Sequence, residues 1–442
     1  MAHAHSHAHG GTGHDVARTS VRRRVTAIAI ALGVVTAIGL VALWPRHDIT
    51  ADVAKLGLIK DVHQARVVDI ERDDCASTEG SPVRVLCDKV RLRLEGGPDR
   101  GRTRTIEFAD AVNKPDLSPG DTIVLNHVED GDRGFDYTYA DRQRRPVLLW
   151  LTAIFAVAVI VLGRWRGVGA LVGLGASLFV ILQFVVPSML AGNDPPLVAI
   201  VGASSIAFLA LYLANGVRTM TTVALLATLA ALAITVALAT AFTELAHLTG
   251  TVDEDALLLK LGAASIDLKG LVLAGMVLGA LGALDDVTVT QAATVGELRA
   301  ADPKASRRQL YRAGLRVGRD HVASTVNTLA LAYAGAALPI LILFTISGRS
   351  LGAVANGEIV ATAIISALVG SIGLVCAVPI STWFAAVVAS GPGERVRARR
   401  ATRRRARRPQ EPVPDLLAPR DGEEFWSERT YRGRYGGTGP PR

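Results

Sequence analysis

The chain alternates between long apolar runs and short charged connections. One apolar run occupies residues 25–44, and seven more follow residue 146, near 147–163, 168–187, 197–214, 220–243, 268–290, 322–346 and 359–389. Runs of about 18 or more apolar residues are long enough to cross a bilayer as helices. The last run is overlong, which predicts either a tilted helix or a break near Pro379. Residues 46–145 have another rhythm. Short pieces such as "ARVVDI", "VRLRL", "RTIEF" and "DTIVL" alternate with breakers such as "EGGPDRG" and "LSPGD". That pattern predicts a small β-rich domain, a compact barrel or a sandwich.

The predicted fold class is a polytopic α-helical membrane protein of about eight spans, with the β domain between the first and second. The division is a His-rich disordered tail (1–24), a first span (25–44), the β domain (46–145), a seven-helix transmembrane domain (146–389) and a basic disordered tail (390–442). Half of the 442 residues are hydrophobic and 20% are charged.

Charge placement orients these spans. Basic residues in short loops mark the cytoplasmic side. Arg22, Arg23 and Arg24 precede the first span, and Arg164, Arg166 and Arg218 fall in the next two turns on that side. Residues 299–319 carry seven basic residues, and nine arginines lie between Arg395 and Arg408. The outer loop "AGNDPP" has none. Both termini are thus expected in the cytoplasm and the β domain outside, in a bacterial plasma membrane. The first run lacks a clear cleavage site and reads as a retained anchor.

Cys75 and Cys87 fall in the outer domain, where oxidising conditions favour a disulfide between them. The alternative is two buried thiols in neighbouring strands. His3, His5, His7, His9 and His14 stand in the N-terminal tail. Imidazoles so spaced bind Zn, Ni, Cu or Co loosely. The tail reads either as a cytoplasmic metal buffer or as a solubilising segment, and no further cofactor is implied. The run "RVRARRATRRRARR" follows a membrane span directly, so anionic lipid is its expected partner rather than nucleic acid.

The strongest candidate for chemistry is "GALGALDDVTVTQAATVGEL", residues 279–298. An ionised acid inside a bilayer costs about 3 kcal/mol on insertion scales, so such residues usually face a bundle interior and serve function. The bland alternative is a wetted helix end. At 100° per residue, Gly275, Gly279, Gly282 and Asp286 share one stripe, which Thr290 and Ala293 continue. Small residues in a stripe admit a neighbouring helix. Asp286 is therefore expected to face inward, ahead of Asp285. A second expectation is a helix broken near Asp285, because Asp favours N-caps and "VTVT" is a mediocre helix former. Thr288, Thr290 and Gln291 would complete an oxygen-rich site for a hard cation or a proton relay. Asn327 on the next span is the expected partner at similar depth, with Ser324, Thr325 and Thr328 beside it.

This stretch, with the β domain before it and the basic loop after it, resembles the YibE/F-like family of bacterial membrane proteins over roughly residues 46–389. The resemblance implies a multi-pass protein with an extracytoplasmic N-terminal region and a suspected transport role. No P-loop, Ser/His/Asp arrangement, H-E-x-x-H or CxxC is present, so the chain does not read as an enzyme. The first functional reading is a secondary transporter or exporter of a small solute or cation. The second is an envelope assembly or sensory protein whose β domain binds an external protein, and the third is a membrane enzyme of unrecognised type.

Overall fold

The computed structural model describes residues 12–46, 61–76, 84–109, 114–127, 137–251, 256, 267–348 and 350–390. The first helix, α1 (Thr12–Ala42), begins well before the expected boundary at residue 25, so residues 12–24 continue the span's helix rather than form a separate tail.

Five strands follow: β1 (Asp61–Ala76), β2 (Arg84–Leu94), β3 (Thr103–Ala109), β4 (Thr122–His127) and β5 (Tyr137–Arg142). They form one antiparallel sheet in the order β3-β2-β1-β4-β5. Alternating residues supply its core, since successive side chains of a strand point to opposite faces. Ala65, Val67, Val90, Leu92, Leu94, Ile123 and Leu125 are buried together under Tyr137. The edge strands β3 and β5 meet where Phe108 packs edge-on against Tyr139, their centroids 5.5 Å apart. The domain is a single sheet curled toward a barrel, and the sandwich alternative is not what forms.

Ion pairs hold the outer surface of the sheet. Lys89 meets Asp73 at 2.7 Å, and Arg91 pairs with Asp69. The Arg142 guanidinium donates to Asp121 and, with the Ser118 backbone N–H, holds that carboxyl below its usual range. Cys87 is buried and disulfide-bonded, whereas Cys376 is free; the Cys75 side chain lies outside the described residues.

Further helices among the described residues are α2 (Arg145–Gly163), α3 (Trp165–Val180), α4 (Val186–Leu190), α5 (Pro195–Asn215), α6 (Thr219–Leu245), α7 (Leu268–Ala301), α8 (Arg307–Ala336), α9 (Leu338–Ile346), α10 (Leu351–Ala355) and α11 (Glu358–Ala389). Among the described residues, seven helices are long and apolar enough to cross a membrane, or eight if α8 and α9 form one bent span. The chain is a multi-pass membrane protein.

Pro187, Pro339 and Pro379 lie inside these spans rather than at their starts, and their effects differ. Pro339 opens α9, and α8 and α9 meet at a bend of 58°. Pro187 follows a π-helical turn at Ile181–Val185, which joins α3 to α4. A wider turn absorbs the hydrogen bond that a proline cannot make. Pro379 lies inside α11 without breaking it, contrary to one expectation above. Its neighbours Ala377 and Val378 are buried against the bundle, and lateral packing of that kind keeps a proline-bearing membrane helix whole.

Helix α7 occupies the centre, packed against α5, α6, α8 and α11. By contrast α2 buries no residue, and its Leu, Val, Ile, Phe and Trp side chains are exposed as a lipid-facing surface requires. The C-terminal end of α1 is fastened to the bundle: the Leu43 carbonyl accepts from Ser188 at 2.7 Å and from Asn193 at 3.1 Å.

Candidate functional site

Helix α7 runs unbroken through both acids and through "VTVT" to Ala301. The expected break near Asp285 does not occur. β-branched residues cost a helix only a few tenths of a kcal/mol each, and burial of Val287 and Thr288 outweighs that preference.

The two acids exchange the roles expected of them. Asp286 is 69% exposed, and its Oδ2 lies 3.9 Å from Nε2 of His321 on α8. Gly275, Gly279, Gly282, Thr290 and Ala293 are exposed with it. Only Gly279 in the glycine stripe has a close neighbour, the Tyr333 hydroxyl. The face of α7 that packs is instead Leu273, Val277, Ala280, Leu284, Val287, Thr288 and Gln291. Asp285 borders that face, and its Oδ1 is buried without a hydrogen-bond partner.

Polar groups from two helices gather there. The hydroxyls of Thr288 and Thr228, the latter on α6, are 2.6 Å apart, and both residues are fully buried. The Thr288 hydroxyl also donates to the Asp285 carbonyl at 3.2 Å. One turn further on, Gln291 is 2% exposed with neither amide atom paired. Its amide rests on Gly318 of α8, where an added Cβ would fall 1.7 Å from Nε2. Val378 of α11 closes the same place. Asp285, Thr288 and Gln291 follow one another at i, i+3 and i+6, forming a slanted polar row inside an apolar bundle.

A family described as YibE/F-like protein matches residues 151–391, more than half of the chain. The chain belongs to the YibE/F-like family. The matched stretch contains the whole polar row with α6, α8 and α11 around it, whereas the β domain precedes the match, a narrower extent than the resemblance over 46–389. No curated protein and no solved structure matches the chain.

In this YibE/F-like protein the expected site is therefore only partly assembled. Asp285, Thr288 and Gln291 come together. Asp286 and Thr290 stand on the open face of α7. Asn327 is exposed and lies opposite the face of α8 that carries Gly318, so it does not meet Asp286. His321 takes the place beside Asp286 that was expected of Asn327. Thr228 and Gly318 were not anticipated as site residues. Thr221, Thr228 and Thr235 recur every seven residues on α6 and are all buried, a spacing that marks a single helix face. Among the described residues no group of three or more His, Cys, Asp or Glu could hold a metal ion. The tail imidazoles of His3, His5, His7 and His9 and the arginines of 395–408 lie outside the described residues.

A carboxylate in this setting has restricted chemistry. Among the described residues Asp285 has no ion-pair partner, and a lone charge in an apolar interior is strongly disfavoured. What would offset such a charge is a proton, or a small cation held with the Thr228 and Thr288 hydroxyls. An acid that exchanges those states is the working part of many membrane pumps and transporters.

Proposed function

We propose that this YibE/F-like protein is a secondary transporter of the bacterial plasma membrane that moves a small solute or cation and uses Asp285 as its coupling acid. The observation that carries the reading is Asp285 Oδ1, buried without a hydrogen-bond partner at the border of the packed face of α7. The threonine pair and the unpaired Gln291 amide support it, because unsatisfied buried polar groups in a native bundle call for an occupant or a second conformation. Both termini lie in the cytoplasm and the sheet domain outside, following the distribution of arginines among the loops. The resting conformation is closed around Asp285, so access to either side requires α6 and α7 to separate at the Thr228–Thr288 contact.

The test is a growth comparison in a strain lacking the protein. It is challenged with metal, osmotic and pH stress and complemented with wild type, Asp285→Asn or Asp286→Asn at matched abundance. The reading expects wild type and Asp286→Asn to restore growth and Asp285→Asn to fail. If Asp285→Asn restores growth fully while deletion of 61–142 does not, the alternative of an envelope protein acting through its external sheet domain replaces it.

A further inference from the structure

The outward face of α8 differs in chemistry from those of α2 and α3. On α2 and α3 the exposed positions include Leu149, Trp150, Ile154, Val161, Leu174 and Phe179. On α8 the positions 316, 320, 323, 327, 330 and 334 are Arg, Asp, Ala, Asn, Ala and Ala, and all are exposed. Their spacing is 4, 3, 4, 3 and 4, the seam of a heptad repeat. At 100° per residue Asn327 lies directly opposite Gly318, which packs on Gln291 and Val378, so Asn327 points away from the bundle.

Depth makes that placement costly in lipid. Asn327 stands between Gly318, seated on Gln291, and Tyr333, whose hydroxyl is beside Gly279. It is thus level with the middle of α7. An amide facing hydrocarbon lacks every hydrogen bond that water would give it. Small residues on either side, Ala323 and Ala330, would let a second helix approach closely enough to meet it.

We propose that this face binds a second copy of the chain, α8 against α8 about a twofold axis along the membrane normal. Three features select a copy over another protein. Copies inserted with one topology present their α8 helices in parallel, the arrangement in which a seam of this period meets itself in register. Asn carries both donor and acceptor, so Asn327 satisfies Asn327 of the other copy. At the cytoplasmic end Asp320 has no ion-pair partner among the described residues. In a parallel pair it meets Asp320 of the other copy, and Arg316 and Arg319 of that copy flank the two acids and offset their like charge. A single polar residue in an otherwise small or apolar seam fixes register in helix pairs. The dimer does not involve Asp285, so this inference stands or falls apart from the transport reading.

Disulfide cross-linking in native membranes tests it, using the full chain with Cys376→Ser as background. Single cysteines are introduced at Ala323, Ala330 and Ala334 on the seam and at Ala332, which is exposed but turned about 140° away from Asn327. The expected result is oxidant-induced dimer at the seam positions, several-fold above Ala332→Cys, together with a loss of that cross-linking when Asn327→Leu is added to Ala330→Cys. Equal cross-linking at all four positions, no dimer at any seam position, or adducts whose mass is not twice that of the chain would each overturn the proposal.

Discussion

Gly318 shows how little room the polar row allows. A methyl group there would fall on the Gln291 amide and 2.6 Å from Cγ1 of Val378. Gly318→Ala is expected to destabilise the protein by about 1–3 kcal/mol, the usual cost of overpacking, read as a lower midpoint in thermal unfolding in detergent. Gln291→Ala in the same chain should recover part of that loss, because it removes the atom that is struck. Additive losses would mean that the two side chains do not share the space. The acid pair was legible as the place to look, because charges within an apolar run are rare. Which acid turns inward was not. The wheel treated glycines as packing residues, yet a small side chain marks a close approach only where a neighbouring helix is present. Helix α7 is apolar on most sides, so periodicity alone could not separate its buried face from its exposed one.

At the scale of elements, the apolar runs were legible because length and hydropathy are what a bilayer selects. The helix ends were not: α1 starts at Thr12 rather than 25, α7 runs to Ala301 rather than 290 and α8 starts at Arg307 rather than 322, since polar turns continue those helices past the apolar part. The pattern does not show the bend at α8–α9, and for the last run it offers a tilted helix or a break near Pro379, of which the break does not form. Proline removes one hydrogen bond at either site, and the surrounding packing decides whether the helix yields. The sheet domain carries a prediction of its own. Arg142 holds the Asp121 carboxyl below its ordinary value of 3.8. A depressed folded-state value contributes stability that is fully present above the unfolded value and is lost as pH falls through the folded one. Arg142→Gln should therefore unfold the sheet domain more easily at neutral pH. The difference from wild type should shrink below the ordinary value of 3.8 and vanish at lower pH, as followed by limited proteolysis of residues 61–142 across a pH series. A difference that stays constant with pH would point to lost packing of the arginine stem rather than to its charge.

In the proposed topology the molecule ties an external sheet to a membrane bundle in which Asp285 borders the packed face of α7. Membrane-impermeant cysteine reagents added to intact cells should label engineered sites in 46–145 and 347–357. Labelling of sites in 299–319 from outside would invert the topology. Denatured, non-reduced protein should contain one free thiol, from Cys376, and three would exclude a Cys75–Cys87 bridge. The most direct test of the central claim uses whichever solute or ion the deletion strain fails to tolerate. Its movement is measured in proteoliposomes across an imposed pH gradient, for wild type, Asp286→Asn and Asp285→Asn. Wild type and Asp286→Asn should drive net movement against the concentration gradient of that solute, while Asp285→Asn, inserted to the same level, should not. Net movement by Asp285→Asn equal to that of wild type would contradict the assignment of Asp285 as the coupling acid.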